Sequence, residues 1–450
     1  MPQPTIVILA AGKGKRMRSR KPKVLHEIMG RPMIECVVEA ARQLSPSKIV
    51  VVTGHERELV EERLKDRNLS FAAQEEQKGT AHALLVAEPM LDATDVLILY
   101  GDVPLIKPET LRAFIQFFRD SQGVAFMTTE VDDPSGYGRV IMDGDVIRDI
   151  VEDADADASQ KKIREINTGI CMLKKEMLPL VREIKNDNAK NEHYLTDICK
   201  VARTRGITVR GYHYNDPQEV LGINTRKELL NANQIMRERI LAQHMDNGVT
   251  LAGEGIYIES DVRIGQDTVI FPFCFLRGKT IVGEGVTIGP HVVINNSVIG
   301  DGVTVEPFCS LDGLTAEAAV AIGPFARIRP TTVLKERVKI GNFVEVKNSV
   351  IQPKSKANHL SYIGDADIGT DVNVGAGTIT CNYDGRKKYR TTIEDGVFVG
   401  SNTELVAPVK IGKDATIGAG STITRDVPEG ALAVTRVKQK HIEGYARRKK

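Results

Sequence analysis

Two rhythms of apolar and polar residues divide this chain. Across residues 5–224, short aliphatic runs alternate with longer amphipathic stretches. Residues 5–10 (TIVILA), 48–53 (KIVVVT) and 96–100 (VLILY) are continuous apolar runs of the kind that form buried strands. Between and after them, residues 32–43, 56–64, 79–90 and 108–121 carry apolar side chains at helical spacing. This alternation predicts βαβ units and a mostly parallel sheet, with ligands beyond the carboxyl ends of the strands. Residues 228–244 read as one connecting helix, with Leu229, Leu230, Ile235, Met236, Ile240 and Leu241 as its apolar positions.

After Gly248 the period changes to six. An aliphatic residue recurs at Ile258, Ile264, Ile270, Leu276, Val282, Ile288 and Ile294, then at Ile322, Ile328, Leu334, Ile340 and Val346, and again from Ile393 through Val399, Leu405, Ile411, Ile417 and Ile423. Glycine often follows it. Six is neither a helical nor a simple strand period, but it suits a hexapeptide parallel β-helix, in which each aliphatic side chain stacks on its equivalent one coil away. The repeat breaks near residues 312–319, 353–360 and 382–392, and these breaks are expected to leave the column as loops, where function tends to sit. The expected domains are 1–226, a linker helix at 227–247, and 248–450.

Composition narrows the class. Of 450 residues 42% are apolar and 27% charged, as in a folded globular chain, and a net charge of +2 points to neither a nucleic-acid binder nor an acidic surface. The basic run Arg447–Lys450 reads as a solvated end. No run of about 18 apolar residues is present, so membrane insertion is not expected, and residues 2–11 lack the basic region of a signal peptide. Six cysteines without paired spacing indicate neither a zinc site nor a disulfide framework; a cytoplasmic setting is expected.

The first candidate chemistry is LAAGKGKRM, residues 9–17, directly after the first apolar run. Gly12 and Gly14 allow close backbone approach to an anion, backbone N–H groups and a following helix end supply donors, and Lys13, Lys15, Arg16 and Lys23 surround it with positive charge. Neither a P-loop Lys-Ser/Thr pair nor the third glycine of a dinucleotide fingerprint is present. On residues alone two readings stand: a phosphate loop, or a tight strand-to-helix turn with solvated lysines. Asp102, after the run at 96–100, is either a Mg²⁺ ligand or a turn aspartate. In the second half, His359 is singled out of nine histidines by its place beside a break in the repeat. Glu345 is either its orienting partner or a surface carboxylate, and Cys381 reads as packing.

The loop, with Pro22-Lys23-Val24-Leu25 and YGDVPL at 100–105, resembles the sugar-nucleotide pyrophosphorylases. Together with NHLSYIGD at 358–365 and GAGTITCNYDG at 375–385, the whole chain resembles the bifunctional bacterial enzymes that combine glucosamine-1-phosphate N-acetyltransferase and N-acetylglucosamine-1-phosphate uridyltransferase activities. The resemblance implies a Rossmann-like α/β nucleotidyltransferase domain followed by a left-handed parallel β-helix of hexapeptide repeats. It implies that Leu9, Ala10, Ala11 and Gly12 line the nucleotide, that Gln74, Gly79 and Thr80 read uracil, and that Arg16 and Lys23 act on the phosphates of UTP. Tyr100, Gly101, Gly138, Glu152 and Asn167 would hold the sugar nucleotide, and Asp102 and Asn224 would bind Mg²⁺. Where the family usually has a small hydroxyl residue this chain has Lys15, which removes a hydroxyl contact and adds a charge.

For the second half the resemblance implies His359 as general base, Arg329, Lys347, Tyr362 and Asn373 on the amino-sugar phosphate, and Ala376, Asn382, Tyr383, Ser401, Ala419 and Arg436 on acetyl-CoA. It also implies a homotrimer formed through the β-helix, with small-molecule substrates only. Two rivals remain at this stage: a single-activity pyrophosphorylase with a regulatory column, and a non-enzymatic assembly subunit.

Overall fold

The structure is a computed structural model that describes residues 3–121 and 123–445; the basic run at 447–450 lies outside the described residues. It comprises two compact units, Met1–Met236 and Arg237–Lys450.

The first unit is built on strands β1 (Thr5–Leu9), β2 (Lys48–Thr53), β3 (Ser70–Ala73), β4 (Asp95–Tyr100), β5 (Val124–Glu130), β6 (Arg139–Asp143), β7 (Val146–Val151), β8 (Glu165–Lys174) and β9 (Arg210–His213). They form one sheet in the order β3-β2-β1-β4-β8-β5-β9-β7-β6. The β3-β2-β1-β4 side is parallel, as the buried runs imply, with Ile6, Val7 and Ile8 fully buried between two apolar layers. Beyond it the sheet departs from the expected mostly parallel arrangement, because β8 runs antiparallel to both β4 and β5 and the hairpin β6–β7 closes the far edge. Helices α1 (Met33–Arg42), α2 (Arg57–Leu64), α3 (Thr80–Ala87) and α4 (Pro108–Phe118) connect the first strands. α1 buries Ile34, Val37, Val38 and Ala41 on the sheet, a stripe at the helical period.

The long helix Arg226–Asp246 contains the expected 228–244, and the division between the units falls inside it. A capping box opens it: Glu228 N–H donates to Thr225 Oγ1 (3.2 Å) while the Glu228 carboxylate accepts from Thr225 N–H (2.9 Å).

The second unit is a parallel β-helix of triangular section. Its short strands stack into three wholly parallel sheets of eleven, ten and nine strands, beginning at Thr250, Tyr257 and Arg263 respectively. Ile270, Ile288, Ile322, Leu334, Val346, Leu405, Ile411 and Ile417 are almost fully removed from water, each above or below its counterpart one coil away. Deleting one such side chain to alanine costs about 2–5 kcal/mol.

Two of the three expected loops are not loops. Around 312–319 and 353–360 the chain stays in the column, with strands Ser310–Asp312, Leu314–Ala316 and Lys356–His359 running through. At the first, the sequence shows a step of five instead of six between core positions, from Leu311 to Ala316; at the second the step stays six, but the core position is the small Ala357 in place of a larger aliphatic residue. A corner one residue shorter closes with a left-handed residue such as Gly313 or Asn348. Only the third break leaves the column: Ile379 pairs with Glu404, twenty-five residues on, whereas Tyr362 pairs with Ile379 after seventeen.

No described helix is long and apolar enough to cross a membrane.

Candidate functional site

In the first unit, the loop after β1 leaves the sheet at its carboxyl edge, where Gly101 N–H donates to Leu9 C=O (3.0 Å) and Ala10 N–H to Val52 C=O (2.9 Å). Gly14 is required by close approach: its φ is +58°, and a Cβ there would lie 2.5 Å from the Cβ of Lys23. A Cβ on Gly12 would meet nothing within 4 Å, so that glycine faces open space. No α-helix follows the loop. A single 3₁₀ turn, Lys15–Met17, is bounded on both sides by left-handed residues, Gly14 and Arg18. The helix-end donors expected from sequence are therefore missing, and cationic side chains carry the positive field.

The loop borders a cleft of 770 Å³ lined by, among others, Gly12, Lys15, Arg16, Lys23, Gln74, Thr80, Asp102 and Asn224. At its base Lys23 Nζ donates to Asp102 Oδ2 and to Asn224 Oδ1 (3.0 Å), with the Lys23 and Asp102 side chains 13% and 14% exposed. Asn224 is held from several sides. Its N–H donates to the Glu228 carboxylate (2.6 Å) and its Nδ2 to Gly222 C=O (3.3 Å), which turns Oδ1 toward the lysine. Two hard oxygen atoms thus converge on the Lys23 ammonium. This is a fitting donor set for Mg²⁺, which completes its shell with water and phosphate oxygens.

On the side expected to face the nucleotide, buried Gln74 donates through Nε2 to Gly79 C=O (3.0 Å) and contacts His82 Nδ1 (3.0 Å). Gly79 has φ +108°, and any Cβ would lie 2.5 Å from the His193 carbonyl. Leu195 N–H donates to Thr80 Oγ1 (2.9 Å), locking this turn to the 193–195 segment. The remaining expected sugar contacts gather around Tyr100, whose phenol burial pushes well above its ordinary range. A Cβ on Gly169 would lie 2.9 Å from the Tyr100 ring. Asn167 N–H donates to Gly138 C=O (2.9 Å), and Asn167 Oδ1 accepts from Gly169 N–H (3.0 Å) at an irregularity of β8. Glu152 accepts from Thr196 Oγ1 (3.2 Å), and burial raises its carboxyl above the usual range.

In the second unit His359 ends a strand and stands directly above Asn342 of the preceding coil. His359 Nδ1 lies 2.8 Å from Asn342 Oδ1. A carbonyl oxygen only accepts, so in the neutral ring Nδ1 carries the proton and Nε2 the lone pair. Glu345, considered as the orienting group, instead accepts from Arg329 Nη1 (3.1 Å).

Going up the same corner from His359, Ala376, Ser401 and Ala419 occupy successive coils, joined by Asn402 N–H to Ala376 C=O (2.7 Å) and Gly420 N–H to Ser401 C=O (2.9 Å). Arg436 Nη1 donates to Ala419 C=O (2.7 Å) and so returns to this edge. Asn373 lies on the sheet that ends at this corner, paired with Lys356.

Lys347 and Tyr362 occupy adjacent strands of the next sheet, with Arg329 just past the end of a strand of that sheet. Asn382 and Tyr383 begin the excursion at residues 382–390. Asn382 Nδ2 donates to Asp365, which also accepts from Asn348 Nδ2 (2.5 Å). Within this excursion Lys388 meets Lys347, and the neighbouring ammonium holds Lys388 below the usual lysine range. Two cations brought together in this way favour an anion beside them.

Comparison with known proteins agrees with both halves. Residues 6–192 match the MobA-like NTP transferase domain, and residues 261–296 and 390–425 match the bacterial transferase hexapeptide repeat. The chain is 46% identical to the bifunctional protein GlmU of Thermodesulfovibrio yellowstonii, with 99% of each chain covered. It is 48% identical to that of Thermotoga petrophila over 99% of each, and 45% identical to that of Thermus thermophilus over 98% of each.

The chain belongs to the GlmU family.

Measured against that family, Leu9–Gly12, Arg16, Lys23, Gln74, Gly79, Thr80, Tyr100, Asp102 and Asn224 share one cleft, whereas Gly138, Glu152 and Asn167 form a second group beside Tyr100. The residues expected at the acetyl site do not converge in one chain. His359, Ala376, Ser401, Ala419 and Arg436 follow one corner of the column, and Arg329, Lys347, Asn382 and Tyr383 follow the next.

Sequence reasoning missed Asn342 and Lys388. Asn342 could have been found by counting one seventeen-residue coil back from His359. The break at 382–392 drew attention to its segment, but nothing in KKYR singled out Lys388 over its neighbours.

Proposed function

We propose that this chain works as a two-reaction enzyme of the GlmU family. Its second unit transfers an acetyl group from acetyl-CoA to glucosamine-1-phosphate. Its first unit then joins the N-acetylated product to UMP from UTP, releasing pyrophosphate. The uridylyl half spans 1–226 and the acetyl half 248–450, connected through the helix at 227–247.

In the first reaction the sugar amine attacks the thioester carbonyl, its proton passes to His359 Nε2, the carbon–sulfur bond breaks and coenzyme A leaves as the thiol. The hydrogen bond to Asn342 fixes the tautomer this requires. Arg329, Lys347 and Lys388 supply charge for the sugar phosphate, and Tyr362 and Asn373 supply sugar contacts. Ala376, Ser401, Ala419 and Arg436 line the acetyl-CoA edge, with Asn382 and Tyr383 coming from another corner. A homotrimer packed through the β-helix would bring such separated corners together. The exposed column Phe273, Phe308, Phe325 and Phe343, each 46–55% exposed, supports an oligomer.

In the second reaction a phosphate oxygen of N-acetylglucosamine-1-phosphate attacks the α-phosphorus of UTP as the bond to the β-phosphate breaks. The nucleophile is already deprotonated at neutral pH, so orientation and charge neutralisation dominate. Asp102 and Asn224 would hold Mg²⁺, which when bound neutralises phosphate charge. Lys23 and Arg16 then serve the phosphates, Gln74 and the Gly79–Thr80 turn the base, and Tyr100, Gly138, Glu152 and Asn167 the sugar. Six free cysteines, five of them buried, suit a reducing cytoplasm.

The observation that favours two activities over a pyrophosphorylase with a regulatory column is His359, with its base nitrogen fixed by Asn342. Incubating the protein with glucosamine-1-phosphate, acetyl-CoA, UTP and Mg²⁺ tests this. UDP-N-acetylglucosamine, free thiol and pyrophosphate are expected together; uridylyl transfer with no acetyl-CoA consumption would refute the two-activity reading.

A further inference from the structure

We propose that Arg139 is a positioning residue that sets affinity for the sugar-phosphate substrate of the first unit; this rests on the uridylyltransferase reading above.

Arg139 opens β6 at the one point where that strand pairs on both sides, with Val151 of β7 and Ile166 of β8. The residue before Arg139 is Gly138, the residue after Val151 is Glu152, and the residue after Ile166 is Asn167. The three expected sugar contacts therefore radiate from one junction. The Arg139 side chain is 2% exposed, and it heads the largest fully buried side chains of the described chain. Its Nη1 donates to the Tyr137 carbonyl and its Nη2 to Asp153 Oδ1 (2.9 Å). One cation thus ties the turn before Gly138 to the residue after Glu152.

The tie is transmitted over short distances. A Cβ on Gly138 would sit 3.4 Å from Glu152 Oε1, and Gly138 C=O accepts the Asn167 N–H at 2.9 Å. Tyr137 itself reaches Gly222 C=O (3.4 Å), so the clamped turn also touches the segment leading to Asn224.

Burying a guanidinium is costly, and an apolar side chain of similar volume would fill a sheet interior more cheaply. Val140, the next residue, is an apolar side chain buried in this sheet. The guanidinium gives directional bonds to two segments at once, which an apolar group cannot do. Arg139 does not line the 770 Å³ cleft, so it acts through the residues it holds. The Gln74–Thr80 turn lies outside this clamp and the 9–23 loop meets it only at van der Waals distance, where a Cβ on Gly136 would lie 3.7 Å from Arg16 Nη1, so the uracil contacts should survive its loss.

The test is steady-state uridylyl transfer by the full chain, varying N-acetylglucosamine-1-phosphate and UTP separately, for wild type, Arg139→Lys, Arg139→Met and Asp153→Asn. The KM for the sugar phosphate is expected to rise about tenfold, the scale of one lost charge-assisted hydrogen bond. The KM for UTP and kcat should change less than about twofold, with Lys less impaired than Met at position 139. Asp153 is 38% exposed, so Asp153→Asn carries the test if the position-139 variants fail to fold. Equal shifts of both KM values, a fall in kcat alone, or no change in Asp153→Asn would overturn the proposal. Wild type that does not turn over these substrates would instead defeat the reading beneath it.

Discussion

Replacing Gly341 by alanine isolates the contribution of coil spacing to acetyl transfer. A Cβ at 341 would lie 1.9 Å from the carbonyl oxygen of Asn358 and 2.5 Å from its carbon. Reaching even a 3.0 Å contact requires the two coils to separate by about 1.1 Å at this corner. Both atoms belong to backbone, so no side-chain rotation relieves the clash. The next residues on either side are Asn342 and His359, whose 2.8 Å hydrogen bond crosses the same gap. Overpacking of this kind costs about 1–3 kcal/mol of stability. A displacement of about 1 Å at a catalytic group lowers rate about a hundredfold. The assay follows coenzyme A release with a thiol reagent, pyrophosphate release as the internal control, and urea unfolding for stability. Acetyl transfer is expected to fall about a hundredfold with uridylyl transfer unchanged and the unfolding midpoint lowered. Wild-type acetyl transfer with an unchanged midpoint would refute the reasoning, because the coils would then not set the position of His359.

Three further outcomes are expected. Asp102→Asn or Lys23→Ala abolishes pyrophosphate release while coenzyme A release continues, since the cluster they form with Asn224 belongs to the first unit alone; retained uridylyl transfer in both would defeat its assignment. Asn342→Leu removes the acceptor that fixes the His359 tautomer, and acetyl transfer should drop at least about tenfold without loss of the fold, measured by the same thiol assay. Glu152→Gln should stabilise the protein at neutral pH but not near pH 4. Burial raises the carboxyl pKa in the folded state, so the folding penalty is absent below the ordinary carboxyl range and grows as pH rises through it. A melting temperature equally shifted at both pH values would contradict that sign.

Which features could be read in advance follows from what each one depends on. The six-residue period was legible because every coil must return an aliphatic side chain to the same interior line, from Ile258 to Ile423. A step of five looks like a break in a linear pattern, as at 312–319, yet in space it is a tighter corner; at 353–360 the period holds, but Ala357 is too small to mark the interior line. The parallel half of the first sheet was plain from unbroken aliphatic runs. The antiparallel half was not, since β8 carries the polar EINTG segment and a change of register at Asn167 within one strand. The missing helix after Gly14 has a local cause, left-handed residues on both sides of a single turn. Resemblance supplied most functional residues. The partner of His359 is a register fact, visible only once coil lengths are known.

The tightened corners share one location. The steps from Ile294 to Ile299, Leu311 to Ala316, Val346 to Ile351 and Ile363 to Ile368 all join the second sheet of the prism to the third, and the long excursion at 382–390 departs from that vertex too. Two vertices of the triangle keep constant length while the third absorbs every insertion and deletion between Ile258 and Ile423. Segments of altered length grafted at that third edge should leave the interior aliphatic columns in phase, making it the natural seam along which this scaffold can acquire or shed surface chemistry.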